Sequence, residues 1–251
     1  MNIQLDTTKY HPDAILKSDP CKITRNKLVV IGASTGGVDA LSYIFSRLPR
    51  TSLPPIAVVQ HIPQSFGSSF IKRLDTLSEL DIYEVTSRQS LKDNCVYVAG
   101  GDKHLVVNFE MGSYYATPLN EERRISRHKP SVDILFRSAN NAAGRSTLGI
   151  ILTGMGDDGC IGLKELHDNG AHTLAENQED CVVFGMPKKA IEMGAVSEIL
   201  SLDMIIYRII DYAKKPFKAA VNDSQETAIL LDEQPSKTSD SEKALIKQNN
   251  V

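Results

Sequence analysis

The sequence predicts an α/β fold: a doubly wound, mostly parallel sheet with helices on both faces and a small antiparallel hairpin insertion. Short apolar runs of strand length alternate with segments whose apolar residues recur at helical spacing. Some of these runs end in glycine-containing turns directly before a helical segment. This alternation is typical of parallel sheets whose crossover helices cover both faces.

The first half of the chain predicts two strand–helix units and a group of short strands. The strand candidates are continuous apolar runs: KLVVIGA (27–33) and PIAVVQ (55–60). Each is followed by a segment with one apolar helical face: 38–48 and 68–80. Three β-prone runs with closely spaced turn signals predict the hairpin insertion between the parallel units: 95–101, 104–109 and 113–118.

The second half continues the alternation. A helix is predicted over 130–144, since Pro130 suits a first turn and apolar residues form a stripe behind it. A strand that enters a glycine turn is predicted at 147–156, followed by a helix over 158–169. The remaining predictions are a strand at 171–177 and a mainly helical region at 187–213.

The pattern divides the chain into one domain and two flanking segments. Residues 27–213 carry the strands and helices and are expected to form the domain. Residues 1–26 are polar and contain two prolines, which predicts a flexible N-terminal arm. Residues 214–251 are rich in Lys, Asp, Glu, Ser and Gln, a composition typical of disorder.

Composition and charge argue against several function classes. The net charge of −3 gives no reason to expect nucleic acid or an anionic membrane as the main partner. No apolar run approaches the roughly 18 residues of a membrane span, and no signal-peptide core is present. The cysteines form no C-x-x-C pair, so a reduced, cytoplasmic protein without a zinc site is expected.

A glycine-rich turn follows the first predicted strand. It matches G-x-S-x-G at Gly32, Ser34 and Gly36, the form of a nucleophile elbow. Ser34 stands where a dinucleotide fingerprint needs its second glycine, and Val38 stands where a P-loop needs lysine. The motif by itself leaves two interpretations open: a nucleophilic serine, or a serine that caps the next helix.

Two further polar sites follow predicted parallel strands. His61 comes directly after the second strand, and Asp157 and Asp158 follow the strand at 147–156. Because ligands of doubly wound sheets gather at the carboxyl ends of the strands, these residues are expected near Ser34. One aspartate is predicted to orient His61 while the other caps the next helix; caps alone or a Mg²⁺ site are the alternatives.

Several longer motifs resemble one protein family. Residues 27–213 are similar to the catalytic domain of the CheB family of chemotaxis protein-glutamate methylesterases. The motifs that carry the resemblance are IGASTGG (31–37), QHIP (60–63), GGDKHL (100–105), PSVDILF (130–136), LTGMGDDG (152–159), CVVFGMP (181–187) and MGAVSEI (193–199).

The resemblance implies a role for individual residues. It implies that Ser34 is the nucleophile, His61 the base and Asp158 the third member of the triad. It further implies that Thr35 helps to hold the histidine and that the backbone N–H of Met155 contributes to the oxyanion hole. The chain order Ser–His–Asp differs from the Ser–Asp–His order of α/β-hydrolases.

The implied activity is that of a serine hydrolase that needs no cofactor and no metal. It removes methyl groups from glutamate γ-methyl esters of methyl-accepting chemotaxis receptors, releases methanol, and can deamidate receptor glutamines. The implied partner is the cytoplasmic domain of such a receptor, and a monomer is favoured. The alternative is a catalytically repurposed domain that acts as a binding partner in a signalling complex; the intact Ser34, His61 and Asp158 argue against it.

Some features depart from the family pattern. Family members usually carry a receiver domain of roughly 100 residues, whereas 26 residues precede the first strand here, so control by phosphorylation within this chain is not expected. Gly100 and Gly101 stand where relatives commonly have Pro-Gly, which loosens that loop. Asp157 is not expected to be essential. A basic run is expected to be either a solvated loop or an attraction for an acidic receptor segment: Arg123, Arg124, Arg127, His128 and Lys129.

Overall fold

A computed structural model describes residues 9–22 and 25–215 of the chain. Its main sheet contains β1 (Leu28–Ala33), β2 (Ile56–Gln60), β3 (Asp81–Val85), β5 (Cys95–Ala99), β8 (Thr147–Ile151), β9 (His172–Glu176) and β10 (Glu198–Leu200). The strand order is β10-β9-β8-β1-β2-β5-β3, and each neighbouring pair is parallel. A second sheet is antiparallel, in the order β4-β7-β6, from β4 (Gln89–Ser90), β6 (His104–Glu110) and β7 (Ser113–Leu119). The predicted fold class is confirmed.

Helices cover both faces of the main sheet. One face packs against α1 (Gly37–Phe45), α2 (Gln64–Leu77) and α6 (Leu202–Lys214). The other packs against α3 (Val132–Ala142), α4 (Cys160–Asp168) and α5 (Met186–Glu192), with the small sheet lying outside α3. Every residue of β1 is buried, because its alternating side chains enter the two cores in turn.

β1 is the central strand of the main sheet, and the later strands are added first on one side of it and then on the other. β2, β5 and β3 lie on one side of β1, while β8, β9 and β10 lie on the other. The carboxyl ends of β1, β2 and β8 are therefore adjacent, with Ala33 opposite Gln60 and Gly32 opposite Ile151. In doubly wound folds this arrangement creates the crevice that binds ligands.

Four strands differ from the prediction, among them the two-residue β4, which was not predicted. Residues 95–99, expected in the hairpin insertion, form β5 of the main sheet and pair in parallel with β2 and β3. β3 was not predicted, and β10 lies in a region expected to be mainly helical. Both are edge strands whose residues are only partly buried, so they lack the continuous apolar run that identifies central strands.

Residues 9–22 pack against the domain, whereas the sequence predicts a flexible arm. Arg137 of α3 is 1% exposed and donates hydrogen bonds to Asp13 Oδ1 (2.6 Å) and to the Leu16 carbonyl (2.8 Å). Since a buried guanidinium requires acceptors, these contacts hold the segment in place. Residues 1–8 and 23–24 of the predicted arm, and 216–251 of the predicted tail, lie outside the described residues. Each helix within 9–22 and 25–215 is too short or too polar to cross a membrane.

Candidate active site

The turn between β1 and α1 carries Ser34, whose surface is 8% exposed. Its backbone N–H donates to the Thr153 carbonyl (3.0 Å), and its carbonyl accepts from Gln60 Nε2 (2.8 Å). Gly36 has φ of +86°, and a Cβ there would lie 2.6 Å from the Cβ of Val182. The sequence thus forms a tight turn that holds Ser34 at the N-terminus of α1, where the helix dipole favours negative charge.

His61 and Asp158 are joined by a hydrogen bond, as predicted for one of the two aspartates. His61 follows β2, and its backbone N–H donates to the Ala33 carbonyl (3.0 Å), which brings it beside the Ser34 turn. His61 Nε2 lies 2.7 Å from Asp158 Oδ2. His61 Nδ1 is buried and has no hydrogen-bond partner within the described part of the chain. The nitrogen that remains available for a reacting group is therefore Nδ1.

The Asp158 carboxylate is fully buried at the N-terminus of α3. Its Oδ1 accepts from Ser131 Oγ (2.7 Å) and Asp133 N (3.1 Å), and its Oδ2 also accepts from Val132 N (2.8 Å). Burial acts to raise the pKa of Asp158, but the hydrogen bond and charge of His61 outweigh it and hold the pKa below its ordinary value. The carboxylate is thus ionised and aligned to orient the imidazole.

The prediction that the other aspartate caps α4 is wrong. The N-cap of α4 is Gly159, with φ of +96°. Asp157 instead pairs with the ammonium of Lys9 at the surface. Asp158 instead accepts from the first two backbone N–H groups of α3, whose N-cap is Ser131, because the fold places the N-terminus of that helix directly beside the turn after β8.

His128 stacks on His61, which the sequence does not predict. The ring centroids are 3.8 Å apart and the ring planes differ by 2°. Burial, and then the neighbouring His61, lower the pKa of His128 to about 4, so its imidazole is neutral at pH 7. Ser126 and Arg127, just before it, adopt left-handed φ values of +48° and +71°. His128 therefore restrains the plane of the His61 ring without adding charge.

His104 contacts Ser131, the residue directly before α3. It is fully buried; its Nδ1 accepts from Ser131 N (3.2 Å), while its Nε2 contacts the Arg123 carbonyl (3.0 Å). These contacts fix the neutral tautomer with the proton on Nε2, and burial lowers the pKa of the ring. His104 therefore helps to position Ser131, which in turn contacts Asp158.

The turn after β8 carries Met155, a residue that is 72% exposed. Gly154 N donates to the Val183 carbonyl (3.0 Å), and Thr153 Oγ1 donates to the Thr35 carbonyl (2.9 Å). Thr35 is exposed, and this carbonyl contact ties the Ser34 turn to the Met155 turn. The roles of the Met155 N–H as an oxyanion donor and of Thr35 as a support for the histidine stay predictions.

Glu176, at the end of β9, supports the Met155 turn and is also missed by sequence reasoning. The residue is fully buried, and its Oε2 accepts from Thr153 N (2.7 Å). Its Oε1 has no partner within residues 9–22 and 25–215. Burial raises the pKa of Glu176 to about 7, so this carboxyl group titrates near neutral pH.

An open cavity of about 490 Å³ adjoins the imidazole pair. Its lining includes Gly101, with φ of +61°, and Arg124. The basic run beside it is less positive than the sequence indicates: Arg123 pairs with Glu121 (2.6 Å), Lys129 pairs with Glu122 (3.1 Å), and His128 is neutral. In the described part of the chain, no three His, Cys, Asp or Glu side chains converge as metal ligands would.

The amino-acid sequence is similar to those of known proteins. Residues 29–209 match the model of the family described as CheB methylesterase. A relative from Chromobacterium violaceum, named protein-glutamate methylesterase/protein-glutamine glutaminase 2, is 46% identical over 200 residues, which are 78% of this chain and 56% of the relative. One from Shewanella oneidensis, named protein-glutamate methylesterase/protein-glutamine glutaminase 3, is 44% identical over 82% of this chain and 58% of its own length. The chain thus spans little more than half of these relatives.

A solved structure extends the likeness to the backbone. The crystal structure of the Thermotoga maritima CheB methylesterase catalytic domain has a TM-score of 0.72 and 38% sequence identity to this chain. The match covers 75% of this chain and 99% of the solved domain. Together with the family match over residues 29–209, this agreement shows that the chain belongs to the CheB methylesterase family.

Proposed function

We propose that this protein hydrolyses glutamate γ-methyl esters on the cytoplasmic domains of methyl-accepting chemotaxis receptors and releases methanol. The hydrogen bond between His61 Nε2 and Asp158 Oδ2 (2.7 Å), beside the Ser34 turn, is the observation that carries the proposal. An imidazole oriented by a buried carboxylate is the arrangement that activates a serine hydroxyl in acyl transfer. The names of the relatives, which include glutaminase, support deamidation of receptor glutamines as a second reaction.

In the first step, His61 Nδ1 accepts the proton of Ser34 Oγ while that oxygen attacks the ester carbonyl carbon. Nδ1 is the base because Nε2 is already engaged by Asp158, which stabilises the imidazolium that forms. His128, stacked at 3.8 Å and neutral, keeps the ring in plane without repelling the new positive charge. The tetrahedral oxyanion is stabilised by the N-terminus of α1 and by the N–H of Met155.

In the second step, collapse of the intermediate breaks the bond to the methoxy oxygen, which takes the proton from His61 and leaves as methanol. Water then enters, gives a proton to His61 Nδ1, and attacks the acyl-enzyme carbon. Return of that proton to Ser34 Oγ frees the glutamate carboxylate. Each cycle restores one negative charge to the receptor, which can bias a signalling equilibrium. For a glutamine substrate the leaving group is ammonia, and the other steps are unchanged.

Receptor membranes carrying labelled methyl esters test this proposal. The wild type is expected to release labelled methanol, and Ser34→Ala is expected to lower the rate by at least about 10³-fold, because the nucleophile is lost. Ser46→Ala is the matched control: Ser46 lies at the other end of α1, is exposed, and its hydroxyl contacts the Tyr43 carbonyl and a neighbouring arginine. Its rate is expected to stay within about twofold of wild type.

The same experiment separates the alternatives. Equal methanol release by the wild type and Ser34→Ala would contradict the proposed nucleophile. Receptor binding without release would favour a repurposed binding domain, and turnover of simple soluble esters alone would favour a general esterase. Ammonia release from receptors that carry glutamine at the same positions measures the deamidation.

A further inference from the structure

A second carboxyl group is buried beside the Asp158 carboxylate. Asp133, in the first turn of α3, is fully buried. Its Oδ1 accepts from Gly162 N (3.0 Å), and its Oδ2 lies 2.7 Å from Ser126 Oγ. Its own backbone N–H donates to Asp158 Oδ1 (3.1 Å), so the two acidic residues occupy one pocket.

The surroundings of Asp133 do not balance a negative charge. Apart from the Asp158 carboxylate, its carboxyl group contacts one amide and one hydroxyl, and no cation pairs with it among the described residues. Arg137, one helical turn later, directs its guanidinium to Glu165, Asp13 and a backbone carbonyl instead. Burial and the nearby negative Asp158 raise the pKa of Asp133 well above its ordinary value, because two ionised carboxylates cannot share a dry pocket.

The remaining groups around the pocket do not alter this balance. The Cys160 thiol is buried and neutral, since burial raises its pKa. His128 is neutral at pH 7. Asp158, by contrast, has backbone amides, a hydroxyl and His61 as donors, so it is the carboxyl group that holds the negative charge.

The contact with Ser126 connects Asp133 to the stacked histidines. Ser126 and Arg127 adopt left-handed backbone conformations, which non-glycine residues keep only when their surroundings hold them. His128 follows directly and stacks on His61 at 3.8 Å. The hydrogen bond between Ser126 Oγ and Asp133 Oδ2 (2.7 Å) restrains the turn that presents His128.

We propose that Asp133 is a positioning residue held as a neutral carboxylic acid, which fixes the Ser126–His128 turn against His61 and leaves Asp158 as the ionised carboxylate of the pocket. The catalytic consequence rests on the proposed esterase function. The protonation and the positioning do not, because both can be measured without substrate.

Infrared spectroscopy tests the protonation directly. At neutral pH, the wild type is expected to show the carbonyl stretch of a protonated carboxylic acid in the difference spectrum against Asp133→Asn, in which the contribution of Glu176, common to both proteins, cancels. Asp133→Asn replaces this group by an amide and is expected to lack that band. Absence of the band from the difference spectrum would overturn the proposal.

Nuclear magnetic resonance and kinetics test the positioning. Asp133→Asn provides a neutral group that accepts from Gly162 N and can hydrogen-bond Ser126 Oγ, so the ring signals of His61 and His128 and the pH profile are expected to be those of wild type. Ser126→Ala removes the other end of the contact; it is expected to shift both ring signals and to lower kcat by about 10- to 100-fold at unchanged KM.

The two variants also distinguish a failure of the proposed function from a failure of this inference. If the wild type releases no methanol, the infrared band and the ring signals still decide the protonation and the positioning of Asp133. Ring signals that move in Asp133→Asn as far as in Ser126→Ala, or that stay unchanged in Ser126→Ala, would overturn the positioning role.

Discussion

Replacing Asp158 by asparagine tests the proton-handling pair most directly. The carboxylate accepts from Ser131 Oγ and Asp133 N on Oδ1, and from Val132 N and His61 Nε2 on Oδ2. An amide has one oxygen and one NH₂ group. Whichever way it turns, the NH₂ faces two donors in a fully buried site.

The size of the effect follows from these contacts. Each buried donor left without an acceptor costs roughly 1–3 kcal/mol, and breaking a buried charge pair costs about 3–5 kcal/mol, so we expect a loss of about 3–5 kcal/mol in the free energy of unfolding at pH 7. With the amide nitrogen towards His61, the ring shifts its proton to Nδ1, the atom proposed as the base. The wrong tautomer is expected to lower kcat by about 10⁴-fold.

Urea denaturation and methanol release by Asp158→Asn check both numbers. The matched control is Asp157→Asn, because Asp157 is the adjacent acidic residue but is paired at the surface with Lys9. The control is expected to change stability by less than about 1 kcal/mol and kcat by less than about twofold. Equal behaviour of the two variants, or a kcat of Asp158→Asn within tenfold of wild type, would contradict the role assigned to Asp158.

Three further substitutions address the supports of the site. Glu176 has a pKa of about 7 in the folded state, above the ordinary 4.5, so the folded state binds its proton more tightly. The free energy of unfolding is therefore expected to fall by roughly 3 kcal/mol as pH rises from about 4.5 to 7. In urea denaturation at a series of pH values, Glu176→Gln is expected to lack this dependence. The pKa of His128 is lowered from 6.5 to about 4 in the folded state, so the stability of the wild type is expected to fall as pH drops from 6.5 towards 4. His128→Phe keeps a flat ring over His61 but lacks this titration, so its free energy of unfolding is expected to fall less than that of the wild type between pH 6.5 and about pH 5. Gly36→Ala combines a φ of +86° with a Cβ 2.6 Å from a valine side chain and is expected to cost at least about 2 kcal/mol in thermal unfolding. Gly67→Ala, a helical glycine with open space, is the control and is expected to stabilise by about 1 kcal/mol.

The main sheet was predictable where burial is continuous. β1, β2 and β8 are buried along their whole length, so each reads as an apolar run in the sequence. β5 also reads as a strand, but its place between β2 and β3 is a pairing between distant segments that spacing does not encode. β3 and β10 lie at the edges with partly exposed residues, and so lack the signal.

The candidate site was predictable to the extent that its residues follow central strands. Ser34 and His61 come directly after β1 and β2, and Asp158 lies in the turn after β8, so topology alone brings them to one edge. His128 and Asp133 do not follow a strand of the main sheet. Their positions depend on how α3 and the preceding loop pack beside that edge, which no local pattern records.

By itself, the sequence determines the alternation of strands and helices, the tight glycine turn, and the edge of the sheet where hydroxyl, imidazole and carboxylate gather. Only the tertiary structure decides that Asp158 engages Nε2 of His61, that Asp158 accepts from the first N–H groups of α3, and that a second imidazole lies against the first. The periodic spacing of apolar residues in helices and strands involves residues close together in the sequence, so the sequence records it. A hydrogen bond between residues 97 positions apart depends on the placement of whole elements to within about 0.5 Å.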